Sequence, residues 1–346
     1  MKYVPVLKWK KGEKLALKYL SAEHKNMIKP LFEIYDQDEP EDFIQDLNEY
    51  YEDQVYIDTL YIDEGDRSYI LSIFNSMEQT SRNDHPVVYY EDINNIADEL
   101  FEKAEKALFR IPVPIDIDGP EIGTILNSIK ECCQRNNVNI DLMFDAGEQT
   151  GKRDIKYLFL EFKDIFSTLN QLDAFYESII ISLTCFPKSL GNIAAGGSLI
   201  QERFEIDFYL KILSLLEKDY ENIRPEIIFS DYGVAKFTET EIDFALMKYP
   251  PLPKTKYTTE NSYWILKGQR DRTSKQWIKN YDDLAKEIVN SDVYCGEDFS
   301  YGDLKIKQKA YGLEGEGPGN HGDWVTICTN HHIAVVLEQL SKIREI

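Results

Sequence analysis

Eight short β-prone segments, nearly all followed by a stretch of helical spacing, succeed one another over residues 1–249, and no other feature constrains the fold as strongly. The segments are YVPVLKW, IKPLFEI, VYIDTLYID, PVVYYED, LFRIPVPIDI, NIDLMFDAG, SIIISLTCF and PEIIFSDYG. Between them, DFIQDLNEYYED, DINNIADELFEKAEKAL, EIGTILNSIKECCQ and SLIQERFEIDFYLKILSLLEKD repeat apolar residues at i, i+3 or i+4, and TETEIDFALMKY supplies an eighth helix. Alternation of this kind predicts parallel strands joined by helical crossovers. Eight such units match the length of a closed (β/α)8, TIM-like barrel of the α/β class. An open doubly wound sheet fits less well, because no Gly-rich phosphate turn follows the first strand.

YPPLPK, Tyr249 to Lys254, then interrupts the pattern with prolines that cannot continue a helix. The expected organisation is a barrel over 1–249 and a C-terminal hairpin-plus-helix extension packed on it over 250–346. TKYTTENSYWILKG reads as a hairpin turning at Glu260-Asn261-Ser262, and KQWIKNYDDLAKEIVN as a helix. The glycine-rich run at 312–322 reads as a loop, either a lid or a tether. A closing helix is expected from TNHHIAVVLEQLSKI, with Thr329 or Asn330 as its cap.

The acidic balance, 61 acidic against 39 basic residues for a formal charge of -22, repels phosphate backbones at long range. Direct DNA binding is therefore disfavoured, whereas a basic protein partner would be attracted. No segment has the length and apolarity of a membrane span, and MKYVPVLKWKKGEKLAL lacks the pattern of a secretory signal, so a cytoplasmic protein is expected. Five cysteines without a CxxC spacing read as reduced thiols with packing roles.

In a (β/α)8 barrel the functional side chains gather at the carboxyl ends of the strands. Here those ends offer Glu33, Asp63, Glu91, Asp116 or Asp118, Asp145 and Asp231. Carboxylates brought to one mouth raise one another's pKa unless a cation neutralises them, so Glu33, Asp116, Asp145 and Asp231 are candidate ligands of a divalent metal, Mg or Mn. The competing reading is that an acidic chain simply caps helices and turns with these residues. Arg110, Lys267 and Arg270 are candidate anion-binding groups. Arg110 is the most informative of them, since an arginine within an apolar strand must find a partner or point outwards. Asp145 and Asp231, with His331 and His332, form the candidate catalytic set. The two histidines, adjacent on a helix and therefore about 100° apart, are a poor chelate, but at a helix start one imidazole could turn into the barrel mouth. Equally, both could be packed, hydrogen-bonded core residues. No P-loop, GxSxG, HExxH or EF-hand pattern occurs.

YVPVLKWKKGEKLAL, IKPLFEI, FRIPV, FSDYG, KYTTENSYWILKGQ, FSYGDLKI and GPGNHGDWVTICTNHHI, in that order, resemble the beta protein family of phages, satellite prophages and bacterial genomes. The resemblance runs from the first strand to the last helix, and the double histidine after a tryptophan-containing segment is its most distinctive part. Val325 follows Trp324 where that family often carries arginine, which puts any anion contact of that arginine in doubt. The resemblance implies a defence cassette in which the protein, encoded beside a killer protein, restrains its toxicity as a partner or sensor. It brings no catalytic residue set. A metal-dependent hydrolase acting on a phosphate-containing nucleotide or nucleic-acid substrate at the barrel mouth is the alternative reading.

Overall fold

The computed structural model describes residues 3–63, 67–115, 119–149, 151–220, 223, 226–235 and 251–344. Eight parallel strands close into a barrel: β1 (Tyr3–Lys8), β2 (Leu31–Glu33), β3 (Tyr56–Asp58), β4 (His85–Val88), β5 (Lys106–Pro112), β6 (Asn139–Glu148), β7 (Ser178–Thr184) and β9 (Glu226–Asp231). Closure is made by β9, whose Phe229, Ser230 and Asp231 pair in register with Tyr3, Val4 and Pro5 of β1. All eight expected strands are present, and the fold is the expected α/β barrel.

Buried aromatic residues fix which face of each strand looks outwards. Phe144 on β6 packs against Phe162 and Phe166 of the helix Lys152–Leu169, and Phe109 on β5 against Phe101 of the helix Ala97–Phe101. Each such side chain removed from water contributes about 1.5–3 kcal/mol. Since strand side chains alternate, Arg110 and Asp145, the neighbours of these phenylalanines, face into the barrel.

Several local expectations change. Strand β3 ends at Asp58 rather than Asp63, because the Asp58 carboxylate accepts the Leu60 amide at 3.0 Å and starts the helical turn Leu60–Asp63. DINNIADELFEKAEKAL opens as a 3-10 turn, Tyr90–Asn94, its helix covers only Ala97–Phe101, and Lys106 already belongs to β5. SLIQERFEIDFYLKILSLLEKD is not one helix: Ser198–Glu202 forms a strand, β8, and the helix runs Glu205–Asp219. The eighth helix expected at 238–249 lies outside the described residues.

By compactness the chain divides into one unit of Met1–Trp9, Met27–Thr184 and Phe204–Tyr232, which holds the barrel, and a second of Lys10–Asn26, Cys185–Arg203 and Gly233–Ile346. In the second unit β10 (Lys254–Thr258) and β11 (Ser262–Lys267) form the expected hairpin, and β8 joins β11 antiparallel to give the order β10-β11-β8. A two-stranded ribbon follows, β12 (Gln269–Arg270) with β13 (Trp277–Lys279). The helix Tyr281–Val289 is held at its start by a capping box between Asn280 and Asp283. The helices Tyr301–Tyr311 and His321–Arg344 complete the unit.

The last helix begins ten residues before the double histidine. Asn320 accepts the Gly322 amide at 2.8 Å, and Asp323 accepts the Asn320 amide at 2.8 Å, so the glycine-rich run passes directly into helix. Two helix contacts here need glycine: a Cβ on Gly302 would lie 2.4 Å from the Ile327 carbonyl oxygen, and one on Gly12 would lie 2.6 Å from Val325 Cγ1. Val325 is thus a packing residue against the helix Lys11–Lys18. No helix of the described residues is long and apolar enough to cross a membrane.

Candidate functional site

At the carboxyl ends of the barrel strands, one buried guanidinium gathers three carboxylates. Register aligns Lys8, Glu33 and Asp58 across β1, β2 and β3, while Arg110 on β5, whose register partner is Met143, and Asp145 on β6, whose register partner is Pro112, face them from the far side. Arg110 Nη1 donates to Asp58 Oδ2 at 2.7 Å. Its Nη2 donates to Glu33 Oε1 at 3.0 Å and to Asp145 Oδ2 at 2.7 Å, and its Nε to the same Asp145 oxygen at 2.9 Å. The Tyr232 hydroxyl accepts from Arg110 Nη2 and donates to Asp145, and the Tyr89 hydroxyl donates to Asp58 Oδ2 at 2.6 Å. Backbone amides complete the shell, with Gly147 donating to Asp145 Oδ1 at 3.0 Å from a left-handed turn at φ 58°.

Burial decides the electrostatics of this layer. Arg110, Glu33, Asp58 and Asp145 are 5%, 1%, 0% and 8% exposed. Burial pushes the Glu33 carboxyl up against the pull of Arg110, as expected when three acids share one guanidinium. Burial also holds the Tyr89 and Tyr232 hydroxyls well above the usual phenol range, so both remain donors. Lys8 adds a second buried cation, its Nζ 4.9 Å from the Tyr35 ring centroid. Above the layer, Tyr35 and Tyr61 stack at 4.5 Å, with Tyr35 donating to Glu33 Oε2 at 3.3 Å and Tyr61 39% exposed.

A hard cation would need the lone pairs that Arg110 already engages, so Mg or Mn fits this layer only if the guanidinium leaves. Among the described residues no group of three or more His, Cys, Asp or Glu side chains is arranged to hold a metal ion. Of the four metal candidates, Glu33 and Asp145 meet at Arg110, while Asp116, like its alternative Asp118, lies outside the described residues. Asp231 accepts from the Tyr3 hydroxyl at 2.5 Å. It shares the outward face of β9 with Phe229, which packs on Tyr209 of the helix Glu205–Asp219. Glu91 is exposed, and its neighbour Asp92 turns inwards to pair with Arg67 Nε at 3.3 Å.

His331 and His332 sit within the helix His321–Arg344, which removes the expected helix-start position and the capping role of Thr329 or Asn330. Both are fully buried in the second unit. His331 Nδ1 lies 2.7 Å from Asp303 Oδ2, its Nε2 lies 2.7 Å from the Thr258 carbonyl oxygen, and its ring stacks on Tyr257 at 4.0 Å. His332 Nδ1 meets Thr258 Oγ1 at 3.0 Å. Asn330 instead bridges, accepting the Gly302 amide at 3.0 Å and donating to the Ala16 carbonyl at 2.9 Å. Lys267 donates to the Ile193 carbonyl at 2.6 Å, and the Arg270 guanidinium lies 3.8 Å above the Trp277 ring.

Sequence reasoning missed Asp58, Tyr89 and Tyr232. Strand parity could have found Tyr232: if Asp231 faces out, the next residue faces in.

A second polar cluster occupies the amino ends of the strands. Asp141 accepts from the Tyr56 hydroxyl at 2.6 Å and the Ser178 hydroxyl at 2.5 Å and pairs with Lys106 at 2.8 Å. Lys29 contacts His85 Nδ1 and lies 4.1 Å from the Tyr56 ring centroid. Burial lowers the Lys29 amine to about 7, against the pull of Asp141, and the His85 imidazole to about 3, with Lys29 adding to that fall.

A family model described as Beta protein matches residues 3–338. No curated protein matches the chain.

Proposed function

The chain belongs to the Beta protein family, and on that premise we propose that it works in the cytoplasm as a non-catalytic restraining partner, holding an adjacently encoded toxic effector inactive in an anti-phage setting. The observation that carries this reading is the Arg110 layer. Where a (β/α)8 enzyme leaves room for substrate, this barrel seats a guanidinium on Glu33, Asp58 and Asp145, all nine-tenths or more buried. Such a layer braces the strand ends and offers no nucleophile beside a free base. The net charge of -22 favours a basic partner and a fast electrostatic encounter.

The test is co-expression of the tagged chain with its neighbouring gene, reading toxicity and the stoichiometry of what co-purifies. A one-to-one complex and suppressed toxicity support the proposal. Persistent toxicity, with the chain eluting alone, overturns it. The alternative, a metal-dependent phosphate hydrolase using Asp145 and Asp231 with a histidine proton shuttle, requires Mg or Mn to raise the melting temperature, and Asp145→Asn with Asp231→Asn to abolish that rise.

A further inference from the structure

Residues 30–66 include fourteen acidic residues and no lysine, arginine or histidine, so this one run of the barrel carries much of the net charge of -22. Part of that acidity has a structural use. Glu33 and Asp58 are answered by Arg110, and Glu41 and Asp42 lie in the first turn of the helix Pro40–Tyr50, where the helix dipole favours negative charge. Asp36 and Asp38 have neither use, and Glu39, the residue before that helix, makes no capping bond with its side chain. All three are exposed, and among the described residues no ion pair or hydrogen bond engages their carboxylates. Their segment is nonetheless held in place: the Tyr69 hydroxyl donates to the Asp38 carbonyl at 2.8 Å, and the Phe43 amide to the Glu39 carbonyl at 3.0 Å.

The same rim carries an exposed aromatic surface. Glu33 and Asp58 are register partners, and the Ile34 amide donates to the Asp58 carbonyl at 2.8 Å, so the chains that leave β2 and β3 emerge side by side. From β2 comes Tyr35 and from the turn after β3 comes Tyr61, their rings stacked at 4.5 Å with planes 14° apart. Tyr35 already meets one cation, with Lys8 Nζ 4.9 Å from its centroid. Tyr61 is 39% exposed and its neighbour Leu60 37%. Among the described residues no cation, and no ring other than Tyr35, lies against Tyr61. A phenol face open to water beside unengaged carboxylates attracts a cation twice over, through the ring quadrupole and through the acids. A guanidinium answers both best, since its plane stacks on a ring while its N–H fork donates to carboxylates, whereas an ammonium holds its water more tightly.

We propose that this rim, Tyr61 with Asp36, Asp38 and Glu39, receives an arginine-bearing basic segment of a protein partner, one guanidinium stacking on Tyr61. The proposal rests on the restraining-partner reading for who the partner is, and adds where the contact lies and what chemistry makes it. A second copy of the chain would bring the same acidic rim and be repelled, as would a phosphate backbone.

Two measurements on the full chain separate this proposal from the reading it rests on. Fluorescence anisotropy with labelled hexa-arginine and hexa-lysine peptides reads the surface alone, and affinity for the purified product of the neighbouring gene reads the partner. Hexa-arginine should bind more tightly than hexa-lysine. Tyr61→Leu should weaken hexa-arginine about tenfold and remove most of its advantage, while Tyr61→Phe, which keeps the ring, should retain both. Asp36→Asn with Asp38→Asn should weaken both peptides and flatten the salt dependence. Circular dichroism should stay that of the wild type in every variant, since the substituted side chains are exposed. Peptides that bind wild type and Tyr61→Leu equally, or arginine without an advantage over lysine, overturn the proposal. A complex with the neighbouring product that ignores both the Tyr61→Leu and the double asparagine substitution also overturns it, and leaves the restraining-partner reading intact. Peptide binding as expected with no such complex does the reverse, supporting the arginine site while the restraining-partner reading falls.

Discussion

His331 and Asp303 form a fully buried pair, Nδ1 to Oδ2 at 2.7 Å, while the other ring nitrogen of His331 faces the Thr258 carbonyl at 2.7 Å. Both nitrogens thus meet acceptors, and Asp303 also accepts from Tyr257 at 2.9 Å and Ser300 at 2.6 Å. Removing one partner strands the others. His331→Ala should cost about 3–5 kcal/mol in urea unfolding. His332→Ala, which gives up a hydrogen bond to Thr258 and packing on Tyr263, should cost less. Equal costs, or none for His331→Ala, would contradict the structural role.

Arg110→Met should destabilise the barrel by about 3–5 kcal/mol at neutral pH, because Glu33, Asp58 and Asp145 would then face one another without a guanidinium. Acid should restore part of that loss as the carboxyls take up protons. Chemical unfolding of the variant at two pH values is the measurement, and a loss independent of pH would count against the charge-balance account.

Glu33→Gln should behave in the opposite sense. Burial raises the Glu33 carboxyl, so its contribution is most favourable below its unfolded value of 4.5 and is lost as pH rises through the folded value. The amide mimics the protonated acid. The variant should equal or exceed the wild type at neutral pH and show a flatter pH profile of melting temperature. A large loss at pH 7 would mean that Arg110 needs the full charge at this position.

The amino-end cluster sets two pH windows. His85 is lowered from 6.5 to about 3, so between these values the unfolded chain binds the extra proton and stability falls as pH drops. Lys29 is lowered from 10.5 to about 7, so stability rises as pH climbs between these values. Lys29→Met should remove the alkaline rise and shrink, without abolishing, the acid slope, since burial is the larger cause of the His85 fall and Lys29 the next. An unchanged alkaline limb in that variant would assign the rise to another group.

Millimolar Mg or Mn should leave the melting temperature of the wild type unchanged, because Arg110 occupies the carboxylate oxygens a cation would use. A clear rise would revive the hydrolase reading.

The sequence by itself determined the barrel: period-2 apolar strands alternating with 3.6-period helices can bury both sets of faces in few other ways. It also marked Arg110, Glu33 and Asp145, since charges beside apolar strand residues must be either paired or exposed. Only the tertiary structure decided that Arg110 is the cation between those carboxylates, that Asp58 and Tyr232 share the layer while Asp231 faces the helices, and that Ser198–Glu202 is a strand. Each of these depends on partners distant in sequence. A strand without its neighbour, such as SLIQE before a helical run, carries no local signal strong enough to override the helix that follows it. The histidine pair lies deeper in the last helix than its local sequence indicates for a related reason: glycines at 315, 317 and 319 mask the Asn320 and Asp323 cap that starts that helix early.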